Sequence, residues 1–225
     1  MKVTLHTGQT ADSKDVSVTK AIVAGWTGRD RVALEKHIKE LEELGVARPA
    51  STPIYYRVSA SRITTDEVIE TTGEASSGEV EFVLAQWGGE MWVGVGSDHT
   101  DRQVETYNVT VSKQMCEKPV AREFWRFADV APHWDQIVMR SWIRENGERV
   151  LYQEGSVVAM LDPMTLVEGY EGKRTLDEGA LMFCGTFAAK GGIRPADNFE
   201  FEIHDPVLGR SIRHEYRLEK LPVLG

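Results

Sequence analysis

An alternating stretch in the first half of the chain constrains the fold most strongly. Along residues 79–85, apolar side chains alternate with other side chains, which is the two-residue period of a half-buried β-strand. Side chains two residues apart on a strand point to the same face, so Glu79 and Glu81 project side by side. Two carboxylates held this close repel each other unless a cation or shared protons compensate them. The stretch therefore predicts a strand that carries a charged site.

A second strand is predicted to return beside the first. Gly88-Gly89 suits a hairpin turn, residues 91–95 form the returning strand, and its far end delivers Asp98. Three carboxylates from two adjacent strands suit Mg²⁺, which takes a few carboxylates and keeps positions for water or substrate. The competing interpretation is that Glu79 and Glu81 are two solvated glutamates on an exposed strand face, a common surface pattern.

The rest of the chain reads as many short strands with one strong helix. The helix is predicted from Asp30 to Leu44, with Asp30 as its cap and Gly45 at its end. Two shorter helices are predicted at 121–127 and 163–170. Strands are predicted at 3–5, 16–18, 21–24, 54–58, 68–70, 104–111, 133–143, 149–153, 181–184, 199–203 and 212–218, with turns at 8–13 and Asn146-Gly147. This pattern favours a β-rich α+β fold over a doubly wound α/β fold.

Composition excludes several classes of partner. The 225 residues suit one substantial domain, and the net charge of -9 argues against a nucleic-acid or anionic-membrane surface, because both need basic patches.

The first residues contain no long apolar run, so neither a signal peptide nor a membrane span is expected. Cys116 and Cys184 are far apart in the sequence, without further ligands at zinc spacing. We expect reduced thiols in a cytoplasmic protein.

Six motifs occur in an order that resembles the fumarylacetoacetate hydrolase superfamily, from about Gly25 to the C-terminus. In chain order they are Gly78-Glu79-Val80-Glu81, Ser97-Asp98-His99-Thr100-Asp101-Arg102, Ser112-Lys113-Gln114, Gln153-Glu154-Gly155, the pair Asp177-Glu178-Gly179 and Cys184-Gly185-Thr186-Phe187, and Gly191-Gly192-Ile193-Arg194-Pro195-Ala196-Asp197. The resemblance is closest to a bacterial branch whose members lack an assigned reaction. Ser97 stands where the family pattern has Asn, and the segment at Lys113 lacks the family's Phe.

The resemblance implies a fold, a domain layout and a metal centre. The fold would be a mixed β-sandwich roll of the fumarylacetoacetate hydrolase C-terminal type, in a single domain with a helical lid. Residues 1–24 would be N-terminal strands, 25–50 the lid and 51–225 the catalytic roll. The family's metal carboxylates match Glu79, Glu81 and Asp98, which would hold Mg²⁺ or Mn²⁺, or Ca²⁺ in a crystal. Family members are commonly dimeric, which implies a homodimer.

The implied reaction is hydrolysis of a carbon–carbon bond in a small 2-oxo acid such as an acylpyruvate. The cation would chelate the carboxylate and the 2-oxo oxygen of the acid and stabilise the enolate that leaves. Lys113 matches the family's active-site lysine. The implied substrate-binding residues are Arg57, Arg102, Gln153, Gly185 and Thr186. For Arg57, a plain surface role on its strand stays open.

His37 and Glu40 form the implied catalytic dyad. They lie three residues apart on the predicted helix and are therefore neighbours. Many hydrolases of the superfamily carry such a pair on a lid, where the glutamate orients the imidazole and the imidazole takes a proton from water. The alternative is a histidine at the edge of the core whose partner is the glutamate. His99 and His133 are predicted to be structural.

Two other functions stay open. Decarboxylation, dehydration or isomerisation would use the same metal and the same kind of acid but no activated water. A non-catalytic metal-binding or metabolite-binding protein would leave a bound 2-oxo acid unchanged.

Overall fold

Strands outnumber helices in residues 1–43 and 48–224, which the computed structural model describes; the side chains of His37, Glu40 and Leu41 lie outside that description. The strands of the first half are β1 (Lys2–Thr7), β2 (Thr10–Asp15), β3 (Lys20–Gly25), β4 (Ile54–Val58), β5 (Ile63–Thr64), β6 (Val68–Thr72), β7 (Ser76–Ser77), β8 (Val80–Trp87), β9 (Glu90–Ser97) and β10 (Thr100–Asp101). Those of the second half are β11 (Lys118–Pro119), β12 (Glu123–Arg126), β13 (Val138–Glu145), β14 (Glu148–Ser156), β15 (Ala180–Phe183), β16 (Asn198–Asp205) and β17 (Arg210–Leu221). The helices are α1 (Arg31–Glu43), α2 (Arg102–Glu105), α3 (Val109–Met115), α4 (Phe127–Val130) and α5 (Pro163–Glu171).

Two large sheets form the body of the described structure. The first has eight strands in the order β2-β1-β12-β9-β8-β15-β3-β4, and the second has five in the order β14-β13-β16-β17-β6. Both mix parallel and antiparallel pairs, since β15 pairs with β3 in parallel and with β8 antiparallel. Two strand pairs, β10 with β7 and β11 with β5, lie outside these sheets. The β-rich prediction is confirmed.

The largest apolar cluster joins side chains of both sheets. It includes Phe82 and Leu84 of β8 together with Met139, Phe201 and Ile203 of the five-stranded sheet. A second cluster on the opposite face of the eight-stranded sheet holds alternate residues such as Val83 and Phe183. All eight residues of β8 are buried, so this strand is central, and the half-exposed strand expected from its alternation is in fact covered on both faces.

Both predicted hairpin turns are present. Gly88 and Gly89 join β8 to β9 with φ values of 63° and 78°, and Asn146 and Gly147 join β13 to β14 with 53° and 84°. Two successive residues with positive φ make the type I′ turn, whose twist matches that of paired strands. The register set by the first turn brings the start of β8 beside the end of β9.

The strand predicted at 104–111 is wrong, because two short helices occupy this region. The Asp101 carboxylate accepts hydrogen bonds from the backbone N–H groups of Gln103 and Val104 at the start of α2. The Asn108 side chain accepts one from Val111 at the start of α3. Each side chain satisfies N–H groups that the first turn of a helix leaves free, and this local capping outweighs the alternating pattern.

Three further assignments fail for lack of a readable pattern. The strand predicted at 16–18 is wrong, because these residues form the connection between β2 and β3. Residues 121–127, predicted as helix, contain β12, which pairs with β1 and β9 and buries Phe124 and Trp125. The turn predicted at 8–13 contains most of β2, an edge strand with every side chain exposed, so no apolar alternation marks it. The strand predicted at 133–143 starts later, at Val138, after a 3₁₀-helix at 131–136.

The helix predicted from Asp30 is observed as α1. The Asp30 carboxylate accepts hydrogen bonds from the N–H groups of Val32 and Ala33 at 2.9 and 3.0 Å, which is the expected cap. Arg29, just before it, donates to both Asp135 oxygens at 3.1 and 2.9 Å. The predicted end at Gly45 lies outside the described residues, and the lid role of α1 stays a prediction.

Across the described parts of the chain, no helix is both long and apolar enough to cross a lipid bilayer. Cys116 and Cys184 are buried free thiols.

Gly78, one residue before Glu79, is expected to tolerate no side chain. A Cβ there would lie 2.6 Å from Cγ of the buried Phe199, and overpacking of this kind costs about 1–3 kcal/mol. We expect Gly78→Ala to lower the free energy of unfolding by that amount in urea titrations. Gly28→Ala is the control, because its Cβ would meet nothing closer than 3.8 Å. Equal stability of the two variants would contradict this packing.

Candidate metal centre

Three carboxylates meet at one end of the β8–β9 hairpin. Val80 pairs with Ser97, and one step further the N–H of Asp98 donates to the carbonyl oxygen of Glu79 at 3.0 Å. Glu81 lies two residues beyond Glu79 and therefore on the same face. One ligand atom from each of Glu79, Glu81 and Asp98 lies within 4.8 Å of the others. The structure thus brings together the three residues that the sequence predicts as metal ligands.

Three protein cations surround two of these carboxylates. Lys113 Nζ forms an ion pair with Asp98 and lies 3.8 Å from Glu79. Lys118 Nζ lies 3.2 Å from Asp98 Oδ1, and Arg102 lies 3.1 Å from Glu79. Burial opposes ionisation of Asp98, but the charges of the two lysines outweigh it and lower the pKa of Asp98 to about 2.

Among the described residues, Glu81 is the carboxylate of the three that forms no ion pair, although the charge of Lys113 acts on it at longer range. Its side chain accepts a hydrogen bond from the backbone N–H of Gly185 at 2.7 Å, and the residue is 3% exposed. Burial, followed by the negative charges of Asp98 and Glu79, raises the pKa of Glu81 well above its usual range. A bound cation would remove this cost, because it would favour the ionised form.

The residues present fit a hard divalent cation. All three donors are carboxylate oxygens, the ligand type that Mg²⁺, Mn²⁺ and Ca²⁺ prefer. The buried Asp98 Oδ1 accepts no hydrogen bond of good geometry in the described part of the chain; its contact is the ion pair with Lys118 Nζ at 3.2 Å. A bound cation could share this oxygen with Lys118.

Lys113 and Arg102, two residues predicted for catalysis and substrate binding, stand beside the carboxylates. Burial disfavours the charged form of Lys113, but Asp98 and Glu79 outweigh this and raise its pKa. The pKa of Arg102 is also raised, since Glu79 and Glu105 outweigh its burial. Arg102 further donates to Ser77 at 2.7 Å and to Glu105 at 2.8 Å. Both side chains are therefore fixed cations.

Gln153 and Thr186 hold the start of β8. The Gln153 amide accepts hydrogen bonds from Val80 N–H and the Ser141 hydroxyl, both at 3.0 Å. It donates to Thr186 Oγ1 at 2.8 Å and to the Phe187 carbonyl at 2.7 Å. These bonds use both donors of the amide, so the structure places Gln153 in an internal network, and direct contact with a substrate stays a prediction.

Gly185 lies against the site through its backbone. Its φ of 111° and the lack of space for a side chain, since a Cβ would overlap Thr27 Oγ1, require glycine here. Its N–H donates to Glu81, so the implied role of Gly185 in substrate binding stays a prediction. The Thr186 hydroxyl likewise donates to the carbonyl of Val80 at 2.8 Å.

Arg57 is not brought to the carboxylates. Its guanidinium donates to the carbonyl of Ala21 at 3.2 Å and lies 3.5 Å from the Tyr170 hydroxyl. Neighbouring residues of a strand point to opposite faces, and the residue of β4 that faces the site is Tyr56, whose ring centre lies 5.9 Å from Lys113 Nζ. The prediction of a substrate-binding Arg57 is therefore not supported by its position.

The side chains of His37 and Glu40 lie outside the described structure, so the predicted dyad stays a prediction. Their backbone lies on α1.

Three residues of the site were missed at the sequence level. Lys118 begins the segment Lys118-Pro119-Val120-Ala121, whose other residues are apolar. A charged residue at the start of a buried apolar run was the signal that could have identified it. No local signal distinguishes Tyr56 as a site residue from an ordinary aromatic residue of its strand. Glu105 carries no local signal, because its role depends on the position of Arg102.

Replacing Glu81 tests the metal centre. Glu81→Gln keeps an oxygen that accepts the Gly185 N–H bond but removes the negative charge that would bind the cation. We expect Mn²⁺ affinity, measured by calorimetry, to fall by more than the 10–100-fold typical of outer-shell partners.

The matched control is Glu202→Gln, because Glu202 is as buried as Glu81. Its carboxylate pairs with Arg140 and Arg213 on the five-stranded sheet, so this variant should bind Mn²⁺ nearly as wild type does. Wild-type affinity in Glu81→Gln would exclude Glu81 as a ligand.

Solved structures share this fold. The chain matches Cg1458, crystallised with an inhibitor, with a TM-score of 0.64 and 16% identity over 92% of this chain and 78% of that one. It matches 2-keto-3-deoxy-D-arabinonate dehydratase complexed with magnesium and 2,5-dioxopentanoate with a TM-score of 0.66 and 11% identity, over 97% and 79%. At these identities the likeness shows the fold alone. These neighbours have the fumarylacetoacetate hydrolase-type fold, so the predicted β-rich fold of this type is confirmed, and its helical lid stays a prediction.

The sequence itself identifies a family. No curated protein sequence matches the chain. Residues 24–216 match the profile of the family described as "Protein of unknown function (DUF2848)". Because this match spans well over half of the 225 residues, the chain belongs to the DUF2848 family.

Proposed function

We propose that this chain is a divalent-metal-dependent enzyme that acts on a small 2-oxo acid. The observation that carries the proposal is the carboxylate cluster of Glu79, Glu81 and Asp98, in which Glu81 forms no ion pair with a described residue. A fold neighbour complexed with magnesium and 2,5-dioxopentanoate, itself a 2-oxo acid, supports the choice of ligand class.

The chain's own residues would divide the work at this site. Glu79, Glu81 and Asp98 would hold Mg²⁺ or Mn²⁺. A divalent cation there would act as a Lewis acid toward the carboxylate and 2-oxo oxygens of the substrate. Lys113 stays protonated at neutral pH, because its pKa is raised, and would hold a substrate oxyanion. Arg102 fixes Glu79 and so orients one ligand.

Our first candidate reaction is hydrolytic cleavage of a carbon–carbon bond in an acylpyruvate-like acid. Water adds to the acyl carbonyl, the bond to the pyruvyl carbon breaks, and the products are a carboxylic acid and pyruvate. His37 would take the proton from water and Glu40 would orient the imidazole. The roles of His37 and Glu40 in this step are inferred from the sequence, which places the two residues three positions apart on α1.

The second candidate is dehydration or decarboxylation of a 2-oxo acid on the same residues. The specific observation in its favour is that a fold neighbour is a 2-keto-3-deoxy-D-arabinonate dehydratase. Neither reaction requires an activated water, so the dyad separates the two candidates.

Replacing His37 should therefore distinguish the two reactions. If His37 is the base for water, His37→Ala should lower kcat for acylpyruvate hydrolysis by about 10²–10⁴-fold with little change in KM. Decarboxylation of oxaloacetate should survive. The measurement is pyruvate release from each acid with Mg²⁺, and the control is His6→Ala, whose partly exposed side chain pairs with Glu123.

Two outcomes would contradict parts of this proposal. If the wild type consumes no acylpyruvate, oxaloacetate or 2-keto-3-deoxy acid, the substrate class is wrong. If His37→Ala hydrolyses acylpyruvates as fast as wild type does, His37 is not the base and the hydrolytic candidate loses its support.

A further inference from the structure

A chain of buried hydrogen bonds lies directly behind the carboxylate cluster. The backbone N–H of Glu79 donates to Ser97 Oγ at 3.2 Å. Ser97 Oγ lies 2.9 Å from the Tyr216 hydroxyl, which lies 2.8 Å from Nδ1 of His99. Ser97, His99 and Tyr216 are each at most 1% exposed, so water does not compete for these bonds.

Lys118 closes this chain into a ring. Its ammonium donates to the carbonyl oxygen of His99 at 2.6 Å and lies 3.2 Å from Asp98 Oδ1. Asp98 N–H in turn donates to the carbonyl of Glu79, the residue from which the chain started. The ring therefore engages both the N–H and the C=O of Glu79, and both the N–H and the carboxylate of Asp98.

The direction of the bonds follows from counting donors and acceptors. Ser97 Oγ accepts from Glu79, so its own proton has Tyr216 as its partner, and the Tyr216 proton then goes to His99 Nδ1. This leaves one group, His99 Nε2–H, without a described partner. The reverse direction would leave both the Ser97 proton and His99 Nε2 unpaired. Because buried polar groups are nearly always paired, the first arrangement is favoured, with the His99 proton on Nε2.

The ring also joins the two sheets. Ser97 ends β9 of the eight-stranded sheet and His99 follows it in the connection to β10, whereas Tyr216 lies on β17 of the five-stranded sheet. One phenol hydroxyl thus fixes the end of the hairpin against a separate layer of the protein. Each hydrogen bond of a buried network restricts the groups that it joins, so loss of this hydroxyl should loosen both ligand residues at once.

We propose that Ser97, Tyr216 and His99 are positioning residues for the metal ligands Glu79 and Asp98, an inference that rests on the metal centre of the proposed function. None of the three touches the cation; each acts through the backbone that carries the ligands. Partners of this kind typically contribute 10–100-fold to metal affinity.

The test compares two tyrosines. Tyr216→Phe removes the central hydroxyl and should weaken Mn²⁺ binding, measured by calorimetry, by about 10–100-fold. Tyr152→Phe is the control, because Tyr152 is equally buried and its hydroxyl accepts a hydrogen bond from Arg194 N–H at 3.2 Å. It should lose comparable stability in urea unfolding while keeping wild-type Mn²⁺ affinity.

Two further measurements probe the ring itself. The affinity losses of Ser97→Ala and Tyr216→Phe should be far from additive in the double variant, since either change opens the same ring. Nitrogen-15 NMR of labelled histidine in the wild type should show His99 protonated on Nε2 and bare on Nδ1, the tautomer that the count of donors and acceptors favours.

The outcomes separate this inference from the proposed function. Wild-type protein that binds no Mn²⁺ would overturn the metal centre, and the positioning role with it. Wild-type binding that is equal in Tyr216→Phe and Tyr152→Phe would overturn the positioning role alone, as would a His99 protonated on Nδ1.

Discussion

Mutual repulsion of three carboxylates at one hairpin end is the constraint on which the rest of this structure depends. The type I′ turn at Gly88-Gly89 fixes the register of β8 and β9, and that register places Glu79, Glu81 and Asp98 together. Charges this close and this buried are costly unless cations compensate them. The segment after β9 supplies these cations, with Arg102 on α2, Lys113 on α3 and Lys118 on β11. Its folding back over the hairpin is therefore an electrostatic requirement as well as a packing one.

The sequence predicts the hairpin well because both of its signals are local. Alternation and a Gly-Gly turn lie within a few residues of each other, and the same holds for Asn146-Gly147 between β13 and β14. Where a strand lacks a buried face, as in β2, there is no alternation to read. At 104–111 the alternation is present but Asp101 and Asn108 cap helices, and capping acts on backbone groups that the apolar pattern does not report.

The residues of the site also fall into two groups, those that the sequence predicts and those that it does not. The ligand cluster follows from side-chain geometry on one hairpin, so Glu79, Glu81 and Asp98 could be predicted together. Lys118, Tyr56 and Tyr216 reach the same place from β11, β4 and β17, and their contacts depend on packing between elements far apart in the chain. Arg57 shows most clearly what the sequence cannot predict. Whether Arg57 or Tyr56 faces the site depends on which face of β4 is turned toward α3, and tertiary structure determines this.

A carboxylate cluster of this kind specifies a cation and an oxygen-rich ligand but no reaction. Fold neighbours include a dehydratase, and the candidates here range from hydrolysis to decarboxylation on the same three residues. What differs between such reactions is the source of a proton or a water, and none of the ligands supplies either. Under the proposed function, the residues around the carboxylates would decide the chemistry: Lys113 as a fixed cation, Tyr56 against it, and the proposed dyad on α1. The reaction of this chain is therefore to be sought in these residues, because the proposed role of the buried Ser97, Tyr216 and His99 is only to position Glu79 and Asp98.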